Sequence, residues 1–249
     1  MKQRLFFTAG SSKALNYAAE KLEKWGISIA EVPCADVTHL LLPVPCKMEQ
    51  AELCAVLEQL PEEITVLGGG LNRPELAGYN CVDLLSDEVY LAENAMITAD
   101  CAIRVAAERL PVIWQNCQVL ILGWGRIGKC LAVLLKSLGA EVTVAVRKEK
   151  DRAMIAALGY EAEDISRLDY ILKRYRVIFN TVPRPVLSLE HLDYCRRGCV
   201  KVELASSPGI AGDEVISARG LPEKLAPESS GALIARSVLR LCARKEASM

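Results

Sequence analysis

Gln118-Val-Leu-Ile-Leu122 runs directly into Gly123-Trp-Gly125-Arg-Ile-Gly128, and this stretch decides the fold. The apolar run predicts a buried strand, and apolar residues then recur at helical spacing up to a stop at Gly139. A second strand is predicted from Glu141 to Val146. Strand, glycine-rich turn, helix and strand within about thirty residues form the βαβ unit that a dinucleotide fingerprint requires.

Each glycine of the fingerprint has an expected task. Gly123 allows the tight turn, Gly125 lets the backbone approach a pyrophosphate, and Gly128 lets helix and strand pack closely. The N–H groups near Arg126, Ile127 and Gly128 would hold the phosphates at the positive end of the helix. We therefore predict that these five residues bind a dinucleotide. The alternative is a glycine-rich turn with a structural role only.

The residues after the second strand favour NADP over NAD. An acid at this point bonds the adenosine ribose, whereas a basic residue accepts a 2′-phosphate. The chain reads Val144-Ala-Val-Arg147-Lys148, and the first carboxylate is Glu149. We therefore assign Arg147 and Lys148 to the cofactor. The alternative is that two exposed bases only cap the strand and solubilise the surface.

Two later loops are expected to flank the nicotinamide, because ligands of a doubly wound sheet bind at the carboxyl ends of its strands. These loops are Asn180-Thr181-Val182-Pro183 and Ala205-Ser206-Ser207-Pro208-Gly209. We assign the four residues of the first loop to the cofactor and Ser206 to the catalytic group. Arg184 could pair with a substrate carboxylate. Ordinary turn chemistry is the alternative for all of these residue types.

The predicted fold class is α/β with two lobes, a doubly wound Rossmann sheet and a smaller flavodoxin-like parallel sheet. Apolar runs and helical patterns alternate through the first ninety residues as they do around the fingerprint. One helix is predicted over residues 164–174, and no sixth Rossmann strand is found between Gly209 and Gly220. The predicted division is an α/β domain over 1–93, an interdomain helix over 94–114, a shortened Rossmann domain over 115–225 and a C-terminal helix over 226–249 that returns to the first lobe.

Composition excludes several classes of function. The chain has 249 residues, 30 Lys+Arg against 31 Asp+Glu, and 51% hydrophobic residues. Near-neutral charge supplies no field for nucleic acid or an anionic membrane, and no apolar run approaches the roughly 20 residues of a membrane span. The ten cysteines are scattered and the chain has two histidines, so we expect reduced thiols, a cytoplasmic protein and no metal site.

The later motifs resemble those of the family of dipicolinate synthase A subunits. The resemblance is carried, in order, by Gly-Trp-Gly-Arg-Ile-Gly at 123–128, Asn-Thr-Val-Pro at 180–183, Leu-Ala-Ser-Ser-Pro-Gly at 204–209 and Gly-Leu-Pro-Glu-Lys-Leu-Ala-Pro-Glu-Ser-Ser-Gly at 220–231. Upstream, Leu42-Pro-Val-Pro45 resembles a loop of that family's first domain. Asn94 and Thr98 are in register with its Asn-x-x-x-Thr-x-Glu-Gly segment. D-2-hydroxyacid dehydrogenases share the glycine fingerprint alone.

The resemblance implies an NADP-linked oxidoreductase that converts a tetrahydrodipicolinate-type cyclic dicarboxylate to dipicolinate during sporulation. It also implies a second subunit of flavoprotein-like type, while a homodimer stays open. Two residues depart from the family pattern, Asp100 in place of a glutamate and Cys101 in place of a glycine. The chain is also short, which would suit a changed substrate or a paralogue that no longer makes dipicolinate.

Asn94, Thr98 and Asp100 complete the catalytic group with Ser206. We expect the three to face the nicotinamide from one side of a cleft, with Asp100 as a proton acceptor. Arg104 lies one turn after Asp100, so an i,i+4 ion pair is the simpler interpretation.

Two other functions remain open from the sequence. One is a D-2-hydroxyacid or shikimate-type dehydrogenase. His191 does not lie where the acid–base histidine of the hydroxyacid enzymes would be expected. The other is a non-catalytic NADP-binding or partner-binding module.

Overall fold

A computed structural model describes residues 4–246, and the chain forms two compact units. One unit holds the residues up to Asn94 together with those from Pro222 on, and the other holds Ala95–Leu221. The first part of the chain contains β1 (Leu5–Thr8), α1 (Lys13–Lys24), β2 (Ser28–Ala30), β3 (His39–Leu41), α2 (Gln50–Leu57), β4 (Thr65–Gly68), β5 (Asn80–Asp83) and α3 (Glu88–Ala107). The second part contains β6 (Gln118–Leu122), α4 (Arg126–Ser137), β7 (Glu141–Val146), α5 (Glu149–Ala157), β8 (Glu161–Asp164), β9 (Val177–Asn180), α6 (Leu189–Asp193), β10 (Val200–Glu203), β11 (Val215–Ser217), α7 (Leu221–Leu225) and α8 (Pro227–Glu246).

The first unit is built on a parallel sheet with strand order β2-β1-β3-β4-β5. This is the flavodoxin-like order, in which the direction of strand addition reverses between β1 and β3. Its core is aliphatic, with Leu40, Leu53 and Val66 fully buried. Strand β5 was not predicted from the sequence, because three of its four residues are polar or cysteine and it forms the sheet edge.

Helices α1 and α8 pack closely within the first unit. Gly231 makes this possible, since a Cβ atom there would lie 2.5 Å from the Cβ of Tyr17 and 2.6 Å from the carbonyl oxygen of Ala14. Two ion pairs tie α8 to the chain around the start of α3, one from Arg240 to Asp87 and one from Arg236 to Glu93.

The second unit carries the fingerprint on a six-stranded parallel sheet with order β11-β10-β9-β6-β7-β8. This is the doubly wound Rossmann order, which reverses between β6 and β9. The predicted fold class is therefore confirmed. The prediction of a missing sixth strand is wrong, because β11 pairs with β10 through Val215, Ile216 and Ser217. It was not predicted because a three-residue strand at a sheet edge has too few apolar residues to show a periodic pattern.

Other elements also differ from the predicted ones, and edge strand β8 was not predicted. Residues 164–174 form 3-10 turns over Ile165–Tyr170 and Leu172–Arg174 instead of one α-helix. Asp164 ends β8, and its carboxylate accepts a hydrogen bond from the N–H of Ser166, which begins a tight turn. Helix α3 starts at Glu88, six residues before the predicted start, because Asp87 accepts a hydrogen bond from the N–H of Tyr90 at 2.8 Å and so caps it.

No helix within residues 4–246 combines the length and the apolar character that crossing a lipid bilayer demands.

Candidate functional site

A cavity of about 420 Å³ opens in the second unit at the carboxyl ends of β6, β7 and β9. This is the crevice beside the reversal of strand order, where ligands of doubly wound sheets bind. Its lining comes from the turn after β6, the end of β7, the start of α5, the turn after β8 and the loop after β9: Gly123, Trp124, Gly125, Ala145, Val146, Arg147, Lys148, Asp151, Ile165, Thr181, Val182, Pro183, Arg184, Pro185 and Val186. Seven of the predicted cofactor residues are therefore brought together around one cavity.

Two of the fingerprint glycines are explained by the chain itself. Gly123 has φ +100°, a left-handed conformation that favours glycine, and a Cβ there would lie 2.5 Å from Oγ1 of Thr181. A Cβ on Gly128 would lie 2.5 Å from the carbonyl oxygen of Gly123. These two glycines are therefore needed to build the turn and to seat α4 on the sheet.

Gly125 has no such explanation within the chain. Its φ is −79°, which any residue adopts, and a Cβ there would meet no atom within 4 Å. That Cβ would stand in open space at the wall of the cavity. The bare backbone at this point leaves room for a group from outside the chain, as the middle glycine of a dinucleotide fingerprint does.

Helix α4 presents its N-terminus without a side-chain cap. Gly125 is the N-cap and offers no side chain, and the first turn contains no acidic residue. Helix α1 differs, because Ser12 caps it and the carboxylate of Glu223 accepts from the N–H groups of Lys13 at 2.6 Å and Ala14 at 3.2 Å. The first-turn amides of α4 thus supply positive partial charge that a phosphate would satisfy.

The cavity carries more positive than negative side chains. Arg147, Lys148 and Arg184 line it, against the single carboxylate of Asp151. Sequence reasoning missed Asp151, which lies in the first turn of α5, where an acid favours the helix dipole. The lining suits an anionic ligand.

The strand end that carries Arg147 is braced from behind. Arg152 donates to the carbonyl oxygens of Val146 at 3.2 Å and Arg147 at 2.8 Å, and it pairs with the Asp164 carboxylate at 3.1 Å. Hydrogen bonds from the N–H and, to a smaller extent, the hydroxyl of Ser166 lower the pKa of Asp164. This carboxylate therefore stays charged opposite Arg152. The backbone at Arg147 is therefore held, while its exposed side chain projects from a fixed base.

The loop after β9 forms the opposite wall. The Thr181 hydroxyl donates to the carbonyl oxygen of Leu122 at 2.8 Å, which ties this loop to the strand before the fingerprint. That hydroxyl serves the protein rather than a ligand. Val182 and Pro183 then present apolar surface to the cavity.

Asn180 was predicted to bind the cofactor, and the structure corrects this assignment. Its side chain is completely buried, and Nδ2 lies 2.9 Å and 3.0 Å from the two carboxylate oxygens of Glu203. Its Oδ1 accepts from the N–H of Val182. Because the amide group is fully used inside the protein, Asn180 shapes the wall and does not touch the cavity.

Glu203 holds the candidate site together, and the sequence analysis missed it. It is 5% exposed and also accepts hydrogen bonds from the N–H groups of Ala205 at 2.9 Å, Gly209 at 2.7 Å and Ile210 at 3.1 Å. One buried carboxylate therefore holds both loops that were predicted to flank the nicotinamide. A charged residue at the end of an otherwise apolar strand, Val200-Lys-Val-Glu203, was the available signal.

Of the predicted catalytic residues, none lines this cavity. Ser206 is exposed, and its carbonyl oxygen accepts a hydrogen bond from Arg219. The Asp100 carboxylate is 59% exposed and pairs with Arg104 at 3.8 Å, the simpler of the two interpretations. Asn94 and Thr98 are both half-buried. Thr98 and Asp100 are two residues apart on α3, about 200° around the helix axis, so they do not share a face as we expected.

His191 belongs to the start of α6 and not to the cavity. Its Nδ1 lies 2.7 Å from the Ser188 hydroxyl and accepts the N–H of Ser188 at 3.1 Å, which closes a capping box. Its Nε2 lies 3.3 Å from the Asp169 carboxylate. Within residues 4–246, no group of three His, Cys, Asp or Glu side chains is arranged to hold a metal ion.

Comparison with known proteins agrees with this geometry. Residues 99–208 match the family model of the D-isomer specific 2-hydroxyacid dehydrogenase NAD binding domain. A curated relative, the dipicolinate synthase A subunit of Bacillus subtilis (strain 168), is 24% identical over 245 residues, covering 88% of this chain and 82% of the relative.

Two solved structures of dipicolinate synthase A chains share the fold of this chain. The dipicolinate synthase A chain from Bacillus subtilis superposes with a TM-score of 0.82 at 21% identity, over 100% of this chain and 98% of that one. The dipicolinate synthase A subunit from Bacillus halodurans gives 0.78 at 22% identity, over 96% and 98%. The resemblance to the dipicolinate synthase A subunit is confirmed. The second unit carries a dehydrogenase-type domain, which indicates a nicotinamide cofactor and supports an oxidoreductase role.

Proposed function

We propose that this chain is an NADP-dependent oxidoreductase of the same type as the dipicolinate synthase A subunit, acting on a tetrahydrodipicolinate-type cyclic dicarboxylate during sporulation. The observation that carries the cofactor assignment is Gly125. Neither backbone conformation nor packing requires glycine there, and the residue lines the cavity beside an uncapped helix N-terminus. The cradle that a Cβ would fill is the fit expected for a pyrophosphate.

The chain offers distinct groups to the parts of such a cofactor. The amides at the start of α4 bind the pyrophosphate, and Arg147 with Lys148 binds a ribose 2′-phosphate. Val182 and Pro183 form an apolar wall that orients a flat ring and excludes water. When bound, the nicotinamide nucleotide exchanges a hydride with the substrate.

Arg184 is the residue that we assign to the substrate. It lines the cavity next to the apolar wall, and a guanidinium binds a carboxylate through two parallel N–H groups. A cyclic dicarboxylate has two carboxylates that could bind in this way. Glu203 and Asn180 keep the adjoining loops in place without touching the ligand. For the catalytic residues we retain Asn94, Thr98, Asp100 and Ser206 as a proposal.

The partner and the compartment are part of the same proposal. The named relatives are the A subunit or A chain of their enzyme, so we propose that this chain also works with a second, flavoprotein-like subunit. All ten cysteines lie within the described residues and none of them forms a disulfide there, in keeping with a reducing cytoplasm.

The proposal is tested by binding and by turnover. Calorimetry with NADPH and NADH should find binding of both, tighter for NADPH. Incubation with NADP⁺ and a tetrahydrodipicolinate-type dicarboxylate, with and without the second subunit, should give reduced nucleotide and dipicolinate. Failure to bind either nucleotide contradicts the cofactor assignment. Nucleotide binding without turnover, even with the second subunit present, contradicts the proposed oxidoreductase activity and indicates a non-catalytic NADP-binding module.

The second candidate is a D-2-hydroxyacid dehydrogenase, favoured by the family model that matches residues 99–208. Against it, His191 is engaged by Ser188 and Asp169, away from the cavity, and the other histidine, His39, lies on β3 of the first unit. A panel of 2-hydroxyacids assayed by nucleotide reduction separates the two functions. Turnover of lactate-type substrates by this chain alone would replace our proposal.

A further inference from the structure

The turn between α6 and β10 carries two cysteines in a basic setting. Cys195 and Cys199 flank a tight turn in which the N–H of Cys199 donates to the carbonyl oxygen of Arg196 at 3.0 Å. Gly198, at φ +74°, completes the turn. The turn brings the two ends of the Cys-x-x-x-Cys segment together, and Cys195 packs against the same apolar cluster that contains Cys199.

The two thiols differ in exposure. Cys199 is 6% exposed, and its thiol lies 3.8 Å from the carbonyl oxygen of Val200. Cys195 is half-buried, and its thiol lies 3.7 Å from the carbonyl oxygen of His191. Cys195 is thus the thiol that a small molecule in solution reaches first.

Positive charge surrounds the pair. Arg196 and Arg197 lie exposed between the cysteines, and Nζ of Lys201 donates to the carbonyl oxygen of Cys199 at 3.2 Å. The neighbouring Cys199 thiol, aided by the charge of Lys201, lowers the pKa of Cys195. The same interaction, together with burial, raises the pKa of Cys199. Cys195 therefore ionises first, while Cys199 keeps its proton.

We infer that Cys195 and Cys199 form a redox-active dithiol that closes to an intramolecular disulfide when a hydroperoxide oxidises Cys195. This site lies outside the nucleotide cavity and does not depend on the proposed function. A nearby pair with one reactive, accessible thiol and one resolving thiol is the arrangement of peroxide-sensing cysteines.

The chemistry balances in two steps. The Cys195 thiolate attacks one oxygen of the hydroperoxide, the O–O bond breaks, and an alcohol or water leaves with one proton, giving a sulfenic acid on Cys195. The Cys199 sulfur, after losing its proton, attacks the Cys195 sulfur and displaces the hydroxyl as water. Overall, two thiols and one hydroperoxide give one disulfide, one alcohol (or water) and one water, so the dithiol is oxidised by two electrons and the peroxide is reduced by two.

Digestion with trypsin can detect the Cys195–Cys199 disulfide, because trypsin cuts the chain between the two cysteines. Arg184 precedes a proline and resists cleavage, so Cys195 lies in the peptide 177–196 and Cys199 in the peptide 198–201. The full-length protein is treated with hydrogen peroxide, alkylated and digested without reductant. The expected product is the two peptides joined, two hydrogen masses below their sum, and released by dithiothreitol.

Three variants complete the test. Cys195→Ser should abolish the joined peptides, and Cys81→Ser, at an exposed cysteine of the first unit, should not. Cys199→Ala removes the neighbouring thiol that lowers the pKa of Cys195, so the pH midpoint of Cys195 alkylation should rise. Its far-ultraviolet circular dichroism is compared with wild type to verify folding.

Two outcomes would overturn the inference. One is recovery of both peptides singly, each with an alkylated cysteine, at a peroxide dose that oxidises Cys81. The other is a Cys195 found bridged to a different cysteine or oxidised to a sulfinic acid with Cys199 still free.

Discussion

The carbonyl oxygen of Gly123 lies 2.5 Å from the point where a side chain at Gly128 would begin. The two residues are five positions apart, and their contact seats the first turn of α4 against the strand before it. Gly125, between them, has no comparable neighbour. The fingerprint therefore contains two glycines that the packing of the protein requires and one that it does not.

This difference makes the two glycines separable by substitution. Gly128→Ala should lower the free energy of unfolding by about 3 kcal/mol, because its Cβ meets rigid backbone. Gly125→Ala should change it by less than about 1 kcal/mol, the effect of altering a helix N-cap. The same Gly125 variant should weaken NADPH binding by at least about tenfold, because its Cβ enters the cradle. Chemical denaturation measures the free energy of unfolding of each variant, and calorimetry measures its affinity for NADPH. Unchanged NADPH affinity in Gly125→Ala would refute the phosphate cradle.

Arg147 decides the preference for NADPH in our proposal. Arg147→Asp should weaken NADPH binding about 10- to 100-fold, the loss of one charge-assisted hydrogen bond, and NADH binding by less than about threefold. Lys150→Asp is the matched control, since Lys150 is also exposed near the start of α5 but does not line the cavity. Equal losses for both nucleotides in Arg147→Asp would remove its assigned role.

The buried pair of Asn180 and Glu203 predicts a pH-dependent defect. Asn180→Asp would place a second carboxylate against Glu203 and should destabilise the second unit by about 3 to 5 kcal/mol at pH 7. Two like charges in one buried site disfavour the doubly ionised form, so the folded variant takes up a proton. The defect should therefore shrink as pH falls from 7 to 5.

Urea denaturation at the two pH values measures this, and exposed Asn16→Asp on α1 controls for the added charge. A defect of equal size at both pH values would mean that Asn180 contributes shape and not hydrogen bonds to a carboxylate.

The ion pair of Asp87 and Arg240 should stabilise the first unit above acid pH. The hydrogen bond from Arg240 lowers the pKa of Asp87, and the Asp87 side chain is 12% exposed. A carboxylate with a lowered folded-state pKa contributes stability above its unfolded value of about 3.9, and this is lost as pH falls through the folded value. Asp87→Asn should cost about 1 to 2 kcal/mol at pH 7 and much less at pH 2.

Glu93→Gln is the comparison for this prediction. Its pair with Arg236 spans 2.9 Å, but the two side chains are 47% and 56% exposed, so the cost should stay below about 0.5 kcal/mol. Thermal or urea unfolding of the two variants across the pH range provides the measurement. A larger cost for Glu93→Gln than for Asp87→Asn would contradict burial as the deciding factor.

The sequence predicted the regions of strong, local pattern. The strand, turn and helix around Gly123, the two-lobed α/β class and the basic pair Arg147-Lys148 all follow from short-range rules of periodicity and glycine placement. Edge strands such as β5 and β11 were missed, because a half-exposed strand of three or four residues carries little hydrophobic pattern.

The roles of polar residues near the cavity were harder to predict. Asn180 and Thr181 stand in the right loop, yet their side chains hydrogen-bond within the protein. Asp100 and Thr98 are close in sequence but point to different sides of α3. A loop motif gives the residue types that are present, but it does not determine the direction in which each side chain points.

By itself, the sequence determined the class of fold and the place of the fingerprint, because both rest on contacts between residues near one another along the chain. Only the tertiary structure decided that Glu203 holds two loops together, that Asp151 and Arg184 line the same cavity as Arg147, and that Gly125 faces open space. These relations join residues from different strands, and the parallel sheet sets their distances by bringing the carboxyl ends of its strands to one edge.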